Sequence, residues 1–341
     1  MATHSYDNST DLNVLTRDYC ADTIIKQLFL RSPMVTRLLL DKRMVQKGGI
    51  KKTVTVKKSQ PTSHVQAYGP NEALTSAVVN TKSHVRFGLY RFQVPIRWTI
   101  EEVEQNVNAD NSARIADLVA ERIDDCWDAA KDKLQEWIYD PDTTEAASNK
   151  KLLSLATALT ADRTYGGLSR ATTATNEWWQ GRSPAGSYTD QATAAAPDIP
   201  NFRKWRDIVE RYNETSAGNL VVIAGDAQYR KWLAAAESRN VNTKTPGGVA
   251  KYGHTSCMID GVEFIKDKYL GADGTREKYM FLLDTSTWNY EIDKDRNYKL
   301  TQPFEQHKID GGADYVIQRI MTSHRFYCDK CTGNMYLSNV S

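Results

Sequence analysis

A long amphipathic stretch at residues 109–139 constrains the fold of this 341-residue chain more than any other feature. Its apolar residues recur every three or four positions, as on a buried helix face: Ile115, Leu118, Val119, Ile123, Cys126, Trp127, Ala130, Leu134, Trp137 and Ile138. The polar side carries Arg114, Asp117, Glu121, Asp125, Asp128, Asp132 and Gln135. Because proline disfavours helical conformation in the residue before it, Asp140-Pro141 ends the pattern. The sequence therefore predicts a rod of roughly 40 Å that carries no catalytic signature.

Alternating residues predict extended strands on either side of a polar connection. Ile50, Val54 and Val56 alternate with polar residues, and a second alternating run extends from Val85 to Trp98. The parity of the second run switches near Gly88, which predicts a β-bulge. Residues 46–98 are thus expected to form one long antiparallel hairpin, with these basic residues: Lys47, Lys51, Lys52, Lys57, Lys58, Lys82, Arg86, Arg91 and Arg97.

A two-stranded hairpin is marginal alone in water, and its free edges invite pairing with another chain. The hairpin must therefore pack either on its own domain or on a neighbouring copy, and the periodicity does not choose between them. Charge is unevenly distributed: residues 1–100 contain 15 Lys/Arg and 6 Asp/Glu, whereas residues 101–341 contain 29 and 36. A basic front of this kind suits either the acidic part of another copy or a polyanion.

The remaining segments predict a mixed α+β chain. Residues 1–45 form an arm with one short amphipathic helix at 22–30, which Pro33 follows and which places Ile24 and Phe29 on an apolar face. Helices at 202–212 and 226–237 flank a buried strand at 219–224, and the chain from Cys257 onward is mainly strands, at 258–265, 280–284, 289–292 and 314–328. The apolar run 24–40 is interrupted by charges and proline, so no membrane span is expected.

A search for catalytic and ligand-binding motifs finds little. Cys328-Asp329-Lys330-Cys331 has the spacing of half a zinc site, but no second pair of ligands accompanies it. Gly225 follows a strand and precedes a helix, yet the glycine motifs of phosphate loops are absent. Five scattered cysteines without a signal peptide predict a reduced intracellular protein. We therefore expect no enzyme, no cofactor and no bound metal.

One local motif and the order of the segments resemble a known family. Tyr165-Gly166-Gly167-Leu168-Ser169-Arg170, followed by Trp178-Trp179, is similar to the Gly-Gly-Ile-Asp/Ser-Arg…Trp-Trp stretch of one group of tailed-bacteriophage major capsid proteins, from which Leu168-Ser169 is a minor departure. The order of arm, basic hairpin, long helix, α/β lobe and closing strands is also that of the Hong Kong 97 type. The two tryptophans could stack on bases, but without interleaved basic residues they are expected to pack instead.

The resemblance implies an α+β phage major capsid fold. Its expected parts are an N-terminal arm at 1–45, an extended E-loop hairpin at 46–98, and a peripheral domain with the spine helix at 99–150. An axial domain at 151–256 and the peripheral sheet with C-terminal strands at 257–341 follow. The implied function is a virion structural protein, assembled in the host cytoplasm, whose hexamers and pentamers self-assemble into an icosahedral shell around double-stranded DNA.

Partners also follow from the resemblance. They are other copies of the chain, a portal, a cement or decoration protein in some members, and non-specifically packaged DNA. Because the arm follows Met1 directly, a separate scaffolding protein is expected. The competing hypothesis is a DNA-binding protein that grips phosphates with its basic hairpin. Candidate inter-subunit contacts are Lys51, Lys52, Lys57, Lys58, Arg86, Arg91, Ile24, Phe29, Trp178 and Trp179.

Overall fold

The computed structural model describes most of the chain. The described residues are 32–40, 44–46, 49–58, 67, 69–70, 80–99, 112–140, 150–161, 163–170, 176–184, 198–213, 219–238, 255–271, 274, 276–293, 296–302, 304–305 and 315–338. The predicted helix at 22–30, with the contact candidates Ile24 and Phe29, lies outside these ranges.

The described chain contains five α-helices and fifteen strands. The α-helices are α1 (Pro33–Leu40), α2 (Ser112–Tyr139), α3 (Leu155–Leu159), α4 (Ile199–Asn213) and α5 (Asp226–Ser238). The strands are β1 (Met44–Gln46), β2 (Lys51–Lys57), β3 (Lys82–Gly88), β4 (Tyr90–Thr99), β5 (Thr164–Tyr165), β6 (Leu168–Ser169), β7 (Leu220–Ala224), β8 (Ser256–Ile259), β9 (Val262–Lys266), β10 (Met280–Asp284), β11 (Trp288–Ile292), β12 (Lys299–Leu300), β13 (Phe304–Glu305), β14 (Tyr315–Cys328) and β15 (Met335–Leu337).

The long helix α2 confirms the amphipathic prediction. It ends at Tyr139, directly before Asp140-Pro141, and Ile123, Trp127 and Leu134 are buried on the predicted apolar face. One assignment was wrong: Gln135, predicted on the solvent side, is buried and its side-chain amide donates to Asp267 at 3.2 Å. The helix thus presents a wider buried stripe near its C-terminus than the hydrophobic pattern alone indicates.

The arm contributes to the core of its own chain. Pro33 begins helix α1, a position where the missing N–H costs no hydrogen bond. Met34, Val35 and Leu38 on this helix are fully buried and belong to the same apolar cluster as α2. These three apolar side chains of the arm are therefore covered by their own chain.

A six-stranded sheet is built around β14. This 14-residue strand pairs antiparallel with β4, β11, β12 and β13, and β1 pairs parallel with β11 at the edge. The predicted hairpin is consequently too long: β4 does not pair with β2 but aligns with β14 from Tyr90 opposite His324 to Thr99 opposite Tyr315. The predicted parity switch near Gly88 is the point where the chain leaves the hairpin and enters this sheet.

A second sheet of five strands has the order β15-β10-β7-β9-β8. Its central strand β7 carries Val221 and Ile223 into the cluster that contains α2, whereas Leu220 and Val222 enter the cluster of α4 and α5. Alternate residues of one strand face opposite sides of the sheet, so both cores share it. A boundary between residues 256 and 257 therefore does not separate the two sheets, because β8, β9, β10 and β15 all join β7.

Asp267 lies where α2 meets the five-stranded sheet. The fully buried carboxylate accepts from the Tyr269 backbone N–H at 2.7 Å and from Gln135 at 3.2 Å. Burial raises the pKa of Asp267 to about 6, although hydrogen bonds from Tyr139, from Gln135 and from the backbone of Tyr269 and Leu270 lower it. The native state therefore holds this proton at a pH where the unfolded chain, with a carboxyl pKa of 3.8, releases it.

The described helices include none that is long and apolar enough to cross a membrane.

We predict that Asp267→Asn stabilises the protein more at pH 8 than at pH 4. The favourable contribution of the raised pKa is present below pH 4 and is lost as the pH rises through about 6. A neutral amide avoids that loss, so the gain over the natural protein should grow by up to about 3 kcal/mol, at 1.36 kcal/mol per pKa unit. Urea unfolding at both pH values measures it, with exposed Asp125→Asn as the control. An equal gain at both pH values would contradict the prediction.

Candidate assembly surface

The hairpin formed by β2 and β3 has one basic face and one apolar face. Its strands pair in register from Lys51 opposite Gly88 to Lys57 opposite Lys82. The exposed face carries Lys51, Lys57, Lys82 and Arg86, and no carboxylate lies on either strand. Because Lys57 and Lys82 are directly opposite each other, this face is destabilised by like-charge repulsion when it has no partner.

The opposite face of the hairpin is covered by its own chain. Val85 and Phe87 are buried, and Phe87 stacks on Tyr327 with ring centroids 4.9 Å apart. The Arg86 backbone N–H donates to the Gly166 carbonyl at 2.9 Å. Of the two alternatives left open by the sequence, packing on the chain's own body therefore holds for the apolar face of the described strands. The basic face, by contrast, is exposed in the described part of the chain.

The glycine turn between β5 and β6 is the surface on which the hairpin sits. Gly166 and Gly167 adopt φ values of +64° and +79°, which favour glycine. A Cβ on Gly166 would lie 2.9 Å from the Val85 Cβ, whereas a Cβ on Gly167 would meet nothing within 4 Å. The first glycine is thus required by the close approach of the hairpin as well as by the backbone. The two glycines form a tight turn, in which Gly167 is exposed and Gly166 is buried.

Arg170 and Trp179 hold this turn from behind. The Arg170 guanidinium is fully buried and donates to the carbonyls of Ala158 at 2.6 Å, Arg163 at 2.9 Å and Trp179 at 3.2 Å, and also to that of Thr157. Two of these acceptors lie in α3, whose last carbonyls lack partners within the helix. Trp179 donates from its indole nitrogen to the Tyr165 carbonyl at 3.0 Å.

These contacts give the two tryptophans a packing role. Trp179 is 2% exposed, so contact of its side chain with a neighbour would require it to leave the core of its own chain. Trp178 is half-buried beside it, at 5.7 Å between ring centroids, and keeps some exposed surface. The motif at residues 165–170, together with Trp178 and Trp179, therefore supports the hairpin.

Arg325 clamps both ends of the hairpin at its base. Its guanidinium donates to the Gly49 carbonyl at 2.7 Å, just before β2, and to the Gly88 carbonyl at 3.3 Å, at the end of β3. The remaining fork nitrogen pairs with Glu291 at 2.7 Å, and both side chains are under 5% exposed. Tyr327 donates its hydroxyl to the same carboxylate at 3.0 Å, and Lys52 lies 3.8 Å from it.

Sequence reasoning missed this clamp, although a signal existed. Glu291 and Arg325 are opposite each other in the pairing of β11 with β14, and each is a charged residue in a strand of buried neighbours. Paired charges of opposite sign on facing buried strands indicate an internal ion pair. Recognising them requires the strand register, which the sequence does not supply.

The other basic candidates lie as follows. Lys51, Lys57, Lys58 and Arg86 are exposed on or beside the hairpin, whereas Lys52 is one-third exposed and faces Glu291. Arg91 is exposed but belongs to β4 and therefore to the six-stranded sheet. The structure places Lys51, Lys57 and Arg86 on one face of the hairpin, Lys58 just beyond the end of β2, and Arg91 in a different sheet.

The residues considered for metal or phosphate binding have structural roles. Cys328 and Cys331 are fully buried, and burial raises the pKa of the Cys328 thiol. His324 is buried against Tyr290, whose hydroxyl lies 2.7 Å from the ring nitrogen, and burial lowers its pKa to about 3. Within the described ranges no three His, Cys, Asp or Glu side chains are grouped to hold a metal. A Cβ on Gly225 would lie 2.7 Å from the Glu277 backbone, so this glycine serves a close approach.

Comparison with known proteins identifies the fold. No family model matches the chain, and no curated protein matches its sequence. Among solved structures, it is similar to the Cyanophage A-1(L) capsid, with 15% identity and a TM-score of 0.64, covering 91% of this chain and 93% of that one. The capsid of Myoviridae Phage XM1 is similar with 10% identity and a TM-score of 0.50, covering 88% and 90%. The chain has the Hong Kong 97-type fold of phage capsid proteins, which confirms the predicted fold class.

Arg325→Met should destabilise the protein by about 3–5 kcal/mol, because it leaves Glu291 buried without its main partner. Adding Glu291→Met should recover part of this loss, because the unpaired charge is then removed. Urea unfolding of the single and double variants measures both effects, with exposed Arg319→Met on the same strand as the control. A double variant no more stable than Arg325→Met would argue against the clamp.

Gly166→Ala should destabilise by about 1–3 kcal/mol more than Gly167→Ala, since both have positive φ but only the first meets the hairpin. The matched pair separates the close approach from the backbone strain. Thermal or urea unfolding provides the comparison, and equal losses would show that the hairpin is not seated on Gly166.

Proposed function

We propose that this chain is the major capsid protein of a tailed bacteriophage. Copies form hexamers and pentamers that close into an icosahedral shell around double-stranded DNA. The observation that carries the proposal is a capsid fold over about nine-tenths of the chain, together with a hairpin whose apolar face is already covered and whose basic face is exposed. A binding surface of this kind suits another molecule, and repulsion between Lys57 and Lys82 favours an acidic one.

The proposed parts follow the fold, with two revisions. The arm and α2 as spine helix of a peripheral domain are kept from the sequence analysis, and the E-loop is shortened at its C-terminal end because β4 leaves the hairpin. The axial domain includes β8, β9, β10 and β15 as well as β7, because these strands form one sheet. The six-stranded sheet around β14 then belongs to the peripheral domain, with β4 as one of its strands.

The proposed function implies several partners. They are other copies of the chain, a scaffolding protein, a portal, packaged DNA and, as in some family members, a cement protein. As a shell component the chain has no catalytic role, and its place is in the virion after assembly in the host cytoplasm.

A DNA-binding protein remains the second candidate, favoured by the same basic face of the hairpin. Phosphate binding by lysine and arginine weakens steeply as salt concentration rises. The two functions therefore differ in what the isolated chain does: the first gives rings and shells, and the second gives discrete molecules that bind duplex DNA in a salt-dependent way.

We predict that Lys57→Gln, Lys82→Gln and Arg86→Gln together leave the subunit folded but impair assembly. The subunit should be at least as stable as the natural one, because the repulsion between Lys57 and Lys82 is removed. Negative-stain microscopy of the protein, alone and with its scaffold, counts the shells. The control replaces exposed Lys204, Arg230 and Lys231 on α4 and α5 with glutamine. Normal shells from the hairpin variant would contradict the role of this face. If the natural chain stays monomeric and retards duplex DNA in a gel, the second candidate is favoured.

A further inference from the structure

The two edges of the hairpin are not equivalent. The Lys58 N–H donates to the Thr81 carbonyl at 2.7 Å, which makes these two residues a hydrogen-bonded pair. Because such pairs alternate along an antiparallel ladder, Thr53, Thr55 and Lys57 direct their N–H and C=O groups away from β3. The same alternation directs the Arg86 N–H outward, where it meets Gly166. The β3 edge is thus occupied by the glycine turn, while within the described residues β2 pairs with no strand other than β3.

A groove of about 580 Å³ runs along this second edge. Residues 54–58 of the hairpin line one side consecutively, as expected for a strand that presents its edge. Trp178, Arg211, Tyr212 and residues 329–332 line the other side. Five extended residues span about 16 Å, which is long enough to pair with a short strand.

The groove is strongly basic. Lys57, Lys58 and Arg211 are exposed along it, and Lys330 is half-buried, whereas Asp329 is its one acidic lining residue. Arg182, also in the lining, places its guanidinium 3.7 Å from the centre of the Tyr212 ring. Backbone groups of an edge strand beside concentrated positive charge suit an extended acidic peptide, which adds a strand and pairs its carboxylates with the lysines.

We propose that the open edge of β2 receives an extended acidic segment of a second copy of this chain, which adds as a third strand to the hairpin. This inference rests on the proposed function and specifies one contact within it. The segment pairs through its backbone with Thr53, Thr55 and Lys57, and its carboxylates lie against Lys58 and Arg211.

The charge distribution indicates that the acidic segment comes from a second copy of the chain, and from a surface other than its β2 edge. Two β2 edges from two copies would place lysine against lysine, so a symmetric pairing of hairpins is unfavourable. Residues 101–341 carry 36 Asp/Glu against 29 Lys/Arg, so each chain contains both the basic edge and an acidic excess. Contacts between two different surfaces of identical chains close into rings when the rotation permits, as hexamers and pentamers require.

Hydrogen exchange of the full chain before and after assembly tests the proposal. Peptides covering residues 51–58 should exchange about tenfold more slowly in shells than in free subunits. Thr55→Pro removes one outward N–H without removing a bond to β3, and proline is tolerated on an edge strand. This variant should fold and lose most assembly. Thr55→Val, which also loses the contact of the Thr55 hydroxyl with His84, should assemble normally.

The outcomes separate this contact from the proposed function. If shells form but the protection of 51–58 does not change, or if Thr55→Pro assembles like Thr55→Val, the strand addition is wrong and the capsid function stands. Protection that is already present in free subunits would mean that the chain covers its own edge, and protection that appears only with a second protein would assign the groove to that protein. Both results overturn the proposal. If no shells form under any condition, the function itself fails.

Discussion

The ion pair between Arg325 and Glu291 is the interaction on which the geometry of the candidate assembly surface depends. A guanidinium offers donors in a fixed planar fork, and here they reach one carboxylate and two backbone carbonyls. Those carbonyls belong to Gly49 and Gly88, the residues through which the chain enters and leaves the hairpin. One side chain of the central strand β14 therefore sets the position of both hairpin strands relative to the six-stranded sheet.

The glycine turn and the clamp act at different places on the same element. The clamp holds the base of the hairpin, whereas Gly166 supports the middle of β3 through the Arg86 N–H and the packing of Val85. Arg170 in turn fixes the turn by donating to carbonyls of α3 and to those of Arg163 and Trp179. The glycine turn and the tryptophan behind it therefore support the hairpin from within the same chain.

Much of this fold follows from local pattern. The 3.6-residue period of α2 and the buried strand β7 between two helices were predictable because each depends on residues close in sequence. The pairing partner of β4 was not predictable, because an alternating run fits a hairpin or a larger sheet equally well. Only its pairing with β14 shows which of the two it joins. Gln135 and Arg325 were missed for a related reason: a buried polar side chain depends on a distant partner, here Asp267 and Glu291, that periodicity does not identify.

The five-stranded sheet has a mechanical consequence for any assembly of this chain. Its strands β7 and β10 contribute alternate side chains to both apolar clusters, so a bend between the two halves of the subunit would open two cores at once. We therefore expect the body of the chain to behave as one rigid unit. Six-fold and five-fold rings require different angles between neighbouring copies. That difference would have to arise at the contacts between copies rather than within one copy.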